Sequence, residues 1–235
     1  MALVAGVDGC PGGWLCVTRD DASGVIASAL YPTATALVTQ DPCPKLLAID
    51  IPIGLTDAGR RRCDEEARRL LGGVRRNSVF PAPIRPALAA VSRADASRIT
   101  QQADGRRVSA QAWAIVPKIR DLDAVLSAGL TDQARVREVH PEVCFWAWAG
   151  NKAMAHRKKS PAGRAERRRL INTHFGAQAV AQVRQCYLVR DVGHDDIHDA
   201  FAALWTAERI LSWTAAAVPN PPPTDANGLR MEMWY

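Results

Sequence analysis

Two runs in the chain carry no polar residue, residues 3–7 and Leu46–Ile49, and an aspartate follows each at once, Asp8 and Asp50. A strand that is apolar at every position is covered on both faces, as the central strands of an α/β sheet are. Pro52 has no N–H to give to a ladder and limits the second run to its end. Residues 14–18 and 24–31 read as two more strands, the first joined to residues 3–7 by the turn Gly9-Cys10-Pro11-Gly12-Gly13, and residues 135–140 as a fifth.

Helical patterns fill most of the remainder. Residues 60–71 are charged at helical spacing, with Asp57 as the expected cap and Gly72-Gly73 as the stop. Residues 87–128 read as a mostly helical, inserted cap that breaks near Gly105. Pro141 opens a tryptophan-bearing helix that runs to residue 149, and residues 163–175 and 194–213 give two more helices. Strands first, then strands alternating with helices, predict an α/β fold: a mixed five-stranded sheet with helices on both faces. The expected organisation is one domain over residues 1–235, with a helical insertion over residues 57–130 and a C-terminal tail over residues 214–235. Within the tail, residues 219–225 read as a linker and residues 229–235 as a returning strand.

The acids come next. Asp196 and Asp199 stand three apart in the last helix, so both carboxylates leave it on one side. If they meet Asp8 and Asp50, the result is a set of hard oxygen donors suited to Mg²⁺ or Mn²⁺. Two such ions about 3.5–4 Å apart, with Asp8 bridging them, would activate water and stabilise a leaving oxygen, which is phosphodiester chemistry. Without metal, four such acids repel one another, so raised carboxyl pKa values and stabilisation by metal are expected. Taken alone, the Asp196/Asp199 pair reads equally well as helix capping. Glu138 and Glu142 flank His140-Pro141 and form a second tier: alternation puts Glu138 on the same strand face as His140, whereas Glu142 falls in a helix's first turn, where an acid is favourable anyway. His198 points elsewhere around its helix and suits a structural or solvent role.

The chain has 30 basic and 24 acidic residues, a balance of +6 that suits a polyanionic partner. Among Arg60, Arg61, Arg62, Arg68 and Arg69 the interleaved Asp64, Glu65 and Glu66 make an ordinary solvated face. Arg157, Lys158, Lys159, Arg164, Arg167, Arg168 and Arg169 have only Glu166 among them, and phosphate contact accounts for that run better. Trp146 and Trp148, close to it, are candidates for base stacking, while Trp14, Trp113, Trp205 and Trp213 are expected in the core. The glycine-rich turn at residues 9–13 either brings N–H groups to a phosphate or simply closes a hairpin. Six cysteines without a C-x-x-C pair read as small buried hydrophobes, not zinc ligands, with the roles of Cys10 and Cys63 left open because both lie inside motifs. No leader or long apolar span stands out, so the expectation is a reduced cytoplasmic protein with no membrane partner.

Several of these segments together, Gly6-Val7-Asp8-Gly9-Cys10-Pro11-Gly12-Gly13-Trp14, residues 48–55 (AIDIPIGL), residues 78–83 (SVFPAP) and Glu138-Val139-His140-Pro141-Glu142, resemble a bacterial and archaeal family catalogued as domain of unknown function 429 and described as predicted nucleases with a ribonuclease-H-like fold. More distantly, residues 196–202 resemble the last helix of Holliday-junction resolvases, where an Asp-x-x-Asp-Ala pattern supplies two metal ligands. The resemblance implies a metal tetrad of Asp8, Asp50, Asp196 and Asp199, with Asp50 shorter than the glutamate resolvases often carry there. It also implies phosphate binding by Lys159, Gly163 and Arg167, the family's Lys-x-x-x-Gly-x-x-x-Arg pattern. The expected function is a nuclease that hydrolyses DNA or RNA with two Mg²⁺ or Mn²⁺ ions. The alternative is a non-catalytic module on the same fold that binds nucleic acid, a nucleotide or a protein. Phosphoryl transfer from ATP forms a third class, and a homodimer is compatible with all of them.

Overall fold

The structure, a computed structural model, describes residues 2–235. Its centre is a sheet of five strands in the order β3-β2-β1-β4-β5: β1 Leu3–Cys10, β2 Gly13–Asp20, β3 Ile26–Tyr31, β4 Leu46–Ile49 and β5 Val136–Glu138. The first three pair antiparallel, and β1-β4-β5 are parallel. The helices are α1 Ala34–Val38, α2 Arg62–Leu71, α3 Arg93–Asp104, α4 Ala110–Ala114, α5 Val116–Ser127, α6 Pro141–Trp148, α7 Pro161–Phe175, α8 Ala179–Gln185 and α9 His194–Leu211. None is long and apolar enough to cross a membrane.

Alternation along β1 and β4 divides the core. Val4, Cys10, Leu46 and Ala48 face one layer, which also holds Ala200, Ala203 and Leu204 of α9 together with Phe145 of α6 and Ile171 of α7. Ala5, Val7, Leu47 and Ile49 face the other, with Leu37 of α1 and Ile119, Leu122 and Val125 of α5. The apolar runs are thus covered on both sides, as an all-apolar strand requires. Gly6 lets α9 lie directly on the sheet: a Cβ there would stand 2.1 Å from both Ala200 O and Leu204 N. No larger residue permits that approach.

Several expectations change. Residues 87–128 do not all form a cap, because α5 belongs to the main layers, where the Asp121 carboxylate accepts from the indole N–H of buried Trp14 at 2.8 Å. Helix α2 begins at Arg62 without a side-chain cap, so Asp57 does not cap it. The tail is not a loose linker. Asp225 accepts from Leu55 N at 3.0 Å, Met231 and Met233 are buried against α2, and Ala217–Val218 (β6) pairs with Met233–Trp234 (β7). The returning strand is only Met233–Trp234, and ion pairs of Glu232 with Arg137 and of Asp225 with Arg85 tie the rest of the tail down. Trp213 is exposed, not core, since the chain leaves α9 there with φ of 59°. Four cysteines are buried, but Cys43 and Cys186 are exposed.

Candidate active site

Parallel register sets the first pair of acids side by side. Val7 is opposite Ile49, so Asp8 and Asp50 follow each other across adjacent strands, tied by the Asp50 N–H donating to Val7 O at 3.0 Å. Both lie on the face that α9 covers, because each stands two residues beyond Gly6 or Ala48 and so points to the same side. β1 runs two residues past Asp8, so that acid lies inside the strand and not at its end. The close seat of α9 over Gly6 then brings its first turns above them. Asp199 is buried, and Asp196 spends one oxygen on the Gly193 N–H at 2.8 Å, so it does cap its helix as well.

The four charges feel one another. Burial, then Asp50, Asp199 and Asp196, holds the Asp8 carboxyl well above the usual carboxylate range. Burial and Asp199 do the same to Asp50, and burial raises Asp196. One cation answers them: the Lys158 ammonium donates to Asp199 Oδ2 at 2.8 Å, and that contact raises its own pKa. Lys158 belongs to the basic run whose sequence suits phosphate contact, and its charge goes to Asp199 instead.

The loop that presents Lys158 is built by α7. Ser160 caps the helix through Gly163 N at 3.0 Å, and the Glu166 carboxylate accepts from Ala155 N and His156 N at 2.8 and 3.1 Å. Gly163 is packed so tightly that a Cβ would stand 2.0 Å from Arg157 O. Arg167 is 1% exposed, donates to His156 O and Gly163 O, and pairs with Glu142 Oε2 at 2.6 Å. Gly163 and Arg167 therefore shape the loop and stand clear of any phosphate, while exposed Lys159 is free to meet one. Arg164 pairs with Asp195, so the basic run is less unbalanced than its composition suggests.

The second-tier acids are committed elsewhere. Glu138 accepts from Arg61 through both oxygens at 2.8 Å and from Ile53 N at 2.6 Å, and burial pushes its carboxyl up to about 7. Arg61 also grips Asp64, which accepts from Ala82 N at 3.0 Å. Arg61 is 2% exposed, so it is no part of a solvated face. Asp64, Glu138 and Cys63 present ligand atoms within 4.8 Å of one another, but the guanidinium already supplies the cation. Burial lowers His198 to about 4, which leaves it neutral.

Among the described residues no other three such groups come that close, so the aspartates as they stand do not enclose a single ion. Their chemistry nonetheless suits divalent metal: oxygen donors only, a surplus of negative charge, and a lysine holding part of the place a cation would take. Beside them opens a cavity of about 570 Å³, whose wall includes Asp50, Lys158, Lys159, His140, Arg75 and Phe80. Arg75, Phe80, Gln111 and Ile115 come from the insertion, which therefore roofs the site. The glycine turn closes a hairpin, with Gly12 N–H given to Asp191 O at 2.9 Å rather than held for a phosphate. Trp148 stacks on Trp205 at 4.9 Å and Trp146 meets Tyr235, so neither is offered to a base.

The profile of the family described as protein of unknown function (DUF429) matches residues 6–224. The chain belongs to this family. The matched span takes in all four aspartates, the Arg61 cluster and the Lys158 loop, so the site just described lies wholly within the DUF429 region. Neither the curated proteins nor the solved structures give a match.

Proposed function

We propose that the chain is a Mg²⁺- or Mn²⁺-dependent phosphodiesterase acting on nucleic acid, built on a ribonuclease-H-like fold. The observation that supports this reading most is the surplus of buried negative charge: Asp8 and Asp50 in register on neighbouring strands, beneath Asp196 and Asp199, with Lys158 as the partial answer. The mixed five-stranded sheet with helices on both faces agrees with the expectation drawn from the order of the strand and helix patterns, and it is compatible with such a fold. Bound divalent ions would supply Lewis-acid activation of water and of the leaving oxygen. Asp8, Asp50, Asp199 and the free oxygen of Asp196 would hold them, and Lys158 would leave Asp199 as they enter. Arg157 and Lys159, on the loop beside the acids, would then hold the phosphate backbone.

Purified protein incubated with single-stranded, duplex and branched DNA and RNA tests this. Cleavage that requires Mn²⁺ or Mg²⁺ and disappears in Asp8→Asn supports it, and cleavage of nothing, or cleavage indifferent to that substitution, removes it. The Lys158–Asp199 ion pair favours a second reading, in which the lysine is the permanent counter-ion of a binding module that hydrolyses nothing.

A further inference from the structure

We propose that the cavity beside the aspartates takes one unstacked nucleotide, a strand end or a free nucleotide, and excludes paired duplex. The cleavage half of this inference rests on the function proposed above; nucleotide binding does not. The cavity is a partly open cleft of about 570 Å³, within the range of roughly 300–1,000 Å³ usual for small-ligand sites. A base pair stacked within a duplex cannot enter such a space unless its nucleotide is first extruded.

The wall is divided in kind as a nucleotide is. Phe80 and Ile115 present apolar surface, and Gln111 and Asn77 add side-chain amides able to read a base edge. Arg157 and Lys159 line the same space with no carboxylate partner among the ion pairs of the described residues. Arg75 donates to Met154 O at 2.7 Å and stands 3.8 Å from Glu142, which pairs with Arg167; Arg61, Arg75, Arg157, Lys158 and Lys159 face Asp50, Asp64, Glu138 and Glu142 around the lining, one cation more than carboxylates. Asp50 and Lys158 lie on that wall too, which would set a phosphodiester held by Arg157 and Lys159 next to the acids. Base recognition and phosphate recognition thus come from opposite parts of the chain, the insertion and the loop before α7.

Calorimetry on the metal-free protein tests the binding half, with adenosine 5′-monophosphate, adenosine and ribose 5-phosphate as separate probes. Phe80→Ala should weaken AMP and adenosine about tenfold, as loss of a stacking surface does, and leave ribose 5-phosphate unchanged. Lys159→Glu, a change at an exposed position that leaves the core intact, should weaken AMP and ribose 5-phosphate but not adenosine. A single-stranded hexamer that binds more tightly than AMP identifies a strand end as the source, and the reverse identifies a free nucleotide. No AMP binding at millimolar concentration, indifference of AMP to both variants, or a blunt duplex bound as well as the single strand overturns the proposal. If AMP binds with this variant pattern while no substrate is cleaved, the nuclease reading fails and the cavity assignment stands.

Discussion

Two buried charge clusters lie close together in this molecule and are balanced in opposite ways. In one, Arg61 sits between Glu138 and Asp64, with the backbone N–H groups of Ile53 and Ala82 completing the set. In the other, Asp8, Asp50, Asp196 and Asp199 share the single ammonium of Lys158, which is itself half exposed. A buried charge is tolerated when it is paired and hydrogen-bonded, and becomes costly when it is not. The first cluster closes upon itself and pins α2 and residues 53–54 to the end of β5. The second is left with surplus acid, which the raised carboxyl pKa values of Asp8 and Asp50 relieve by protonation and which an added cation would relieve instead.

The contrast breaks most visibly at Arg61. Replacing it by Met leaves two buried carboxylates without a partner and should cost about 3–5 kcal/mol in chemical denaturation, while metal binding by the surviving fold is kept. Gly6→Ala attacks the other cluster. Its Cβ would collide with α9, so we expect a loss of about 3 kcal/mol together with weaker Mn²⁺ binding, because Asp196 and Asp199 are lifted away from Asp8 and Asp50. Lys158→Ala sharpens the comparison: with the competing ammonium gone, Mn²⁺ should bind about tenfold more tightly, about 1.4 kcal/mol, by titration calorimetry. If Lys158 is a permanent counter-ion, no such gain follows.

The smallest effect is on pH dependence. Asp8 and Asp50 have carboxyl pKa values raised by burial and by neighbouring acids, so the folded chain keeps protons that the unfolded chain gives up. Their stabilising contribution is complete below the ordinary carboxyl range and is lost as pH rises through the raised values. Glu138, at about 7, acts in the same sense. Metal-free protein should therefore melt at a lower temperature at pH 8 than at pH 5. Asn cannot ionise, so Asp8→Asn should raise the stability at pH 8 by about 1 kcal/mol, a Tm increase of roughly 2–4 °C, and change the pH 5 value little. An equal shift at both pH values would mean that Asp8 carries no strained charge.

What the sequence revealed follows from which signals are local. Hydrophobic runs marked β1 and β4, the Asp-x-x-Asp spacing marked the face of α9 that carries Asp196 and Asp199 toward Asp8 and Asp50, and the sheet with helices on both sides came from their order. The roles of individual cations were hidden, because pairing is decided by tertiary contact. Arg61 looks like its neighbours Arg60 and Arg62 in composition, yet it alone reaches Glu138, 77 residues away. Lys158 and Lys159 are chemically alike, and only the packing of the loop on Gly163 selects the one that meets Asp199. The tail read as a linker because its prolines hide the buried methionines and the ion pairs of Asp225 and Glu232, all of which depend on partners distant in the chain.

Titration of the metal-free protein with Mn²⁺, repeated on Asp8→Asn, tests the central claim most directly. Surplus charge among the aspartates predicts about two ions bound per chain, a higher melting temperature on binding, and loss of at least one ion in the variant. Absence of any binding heat, or uptake identical in the two proteins, would contradict it.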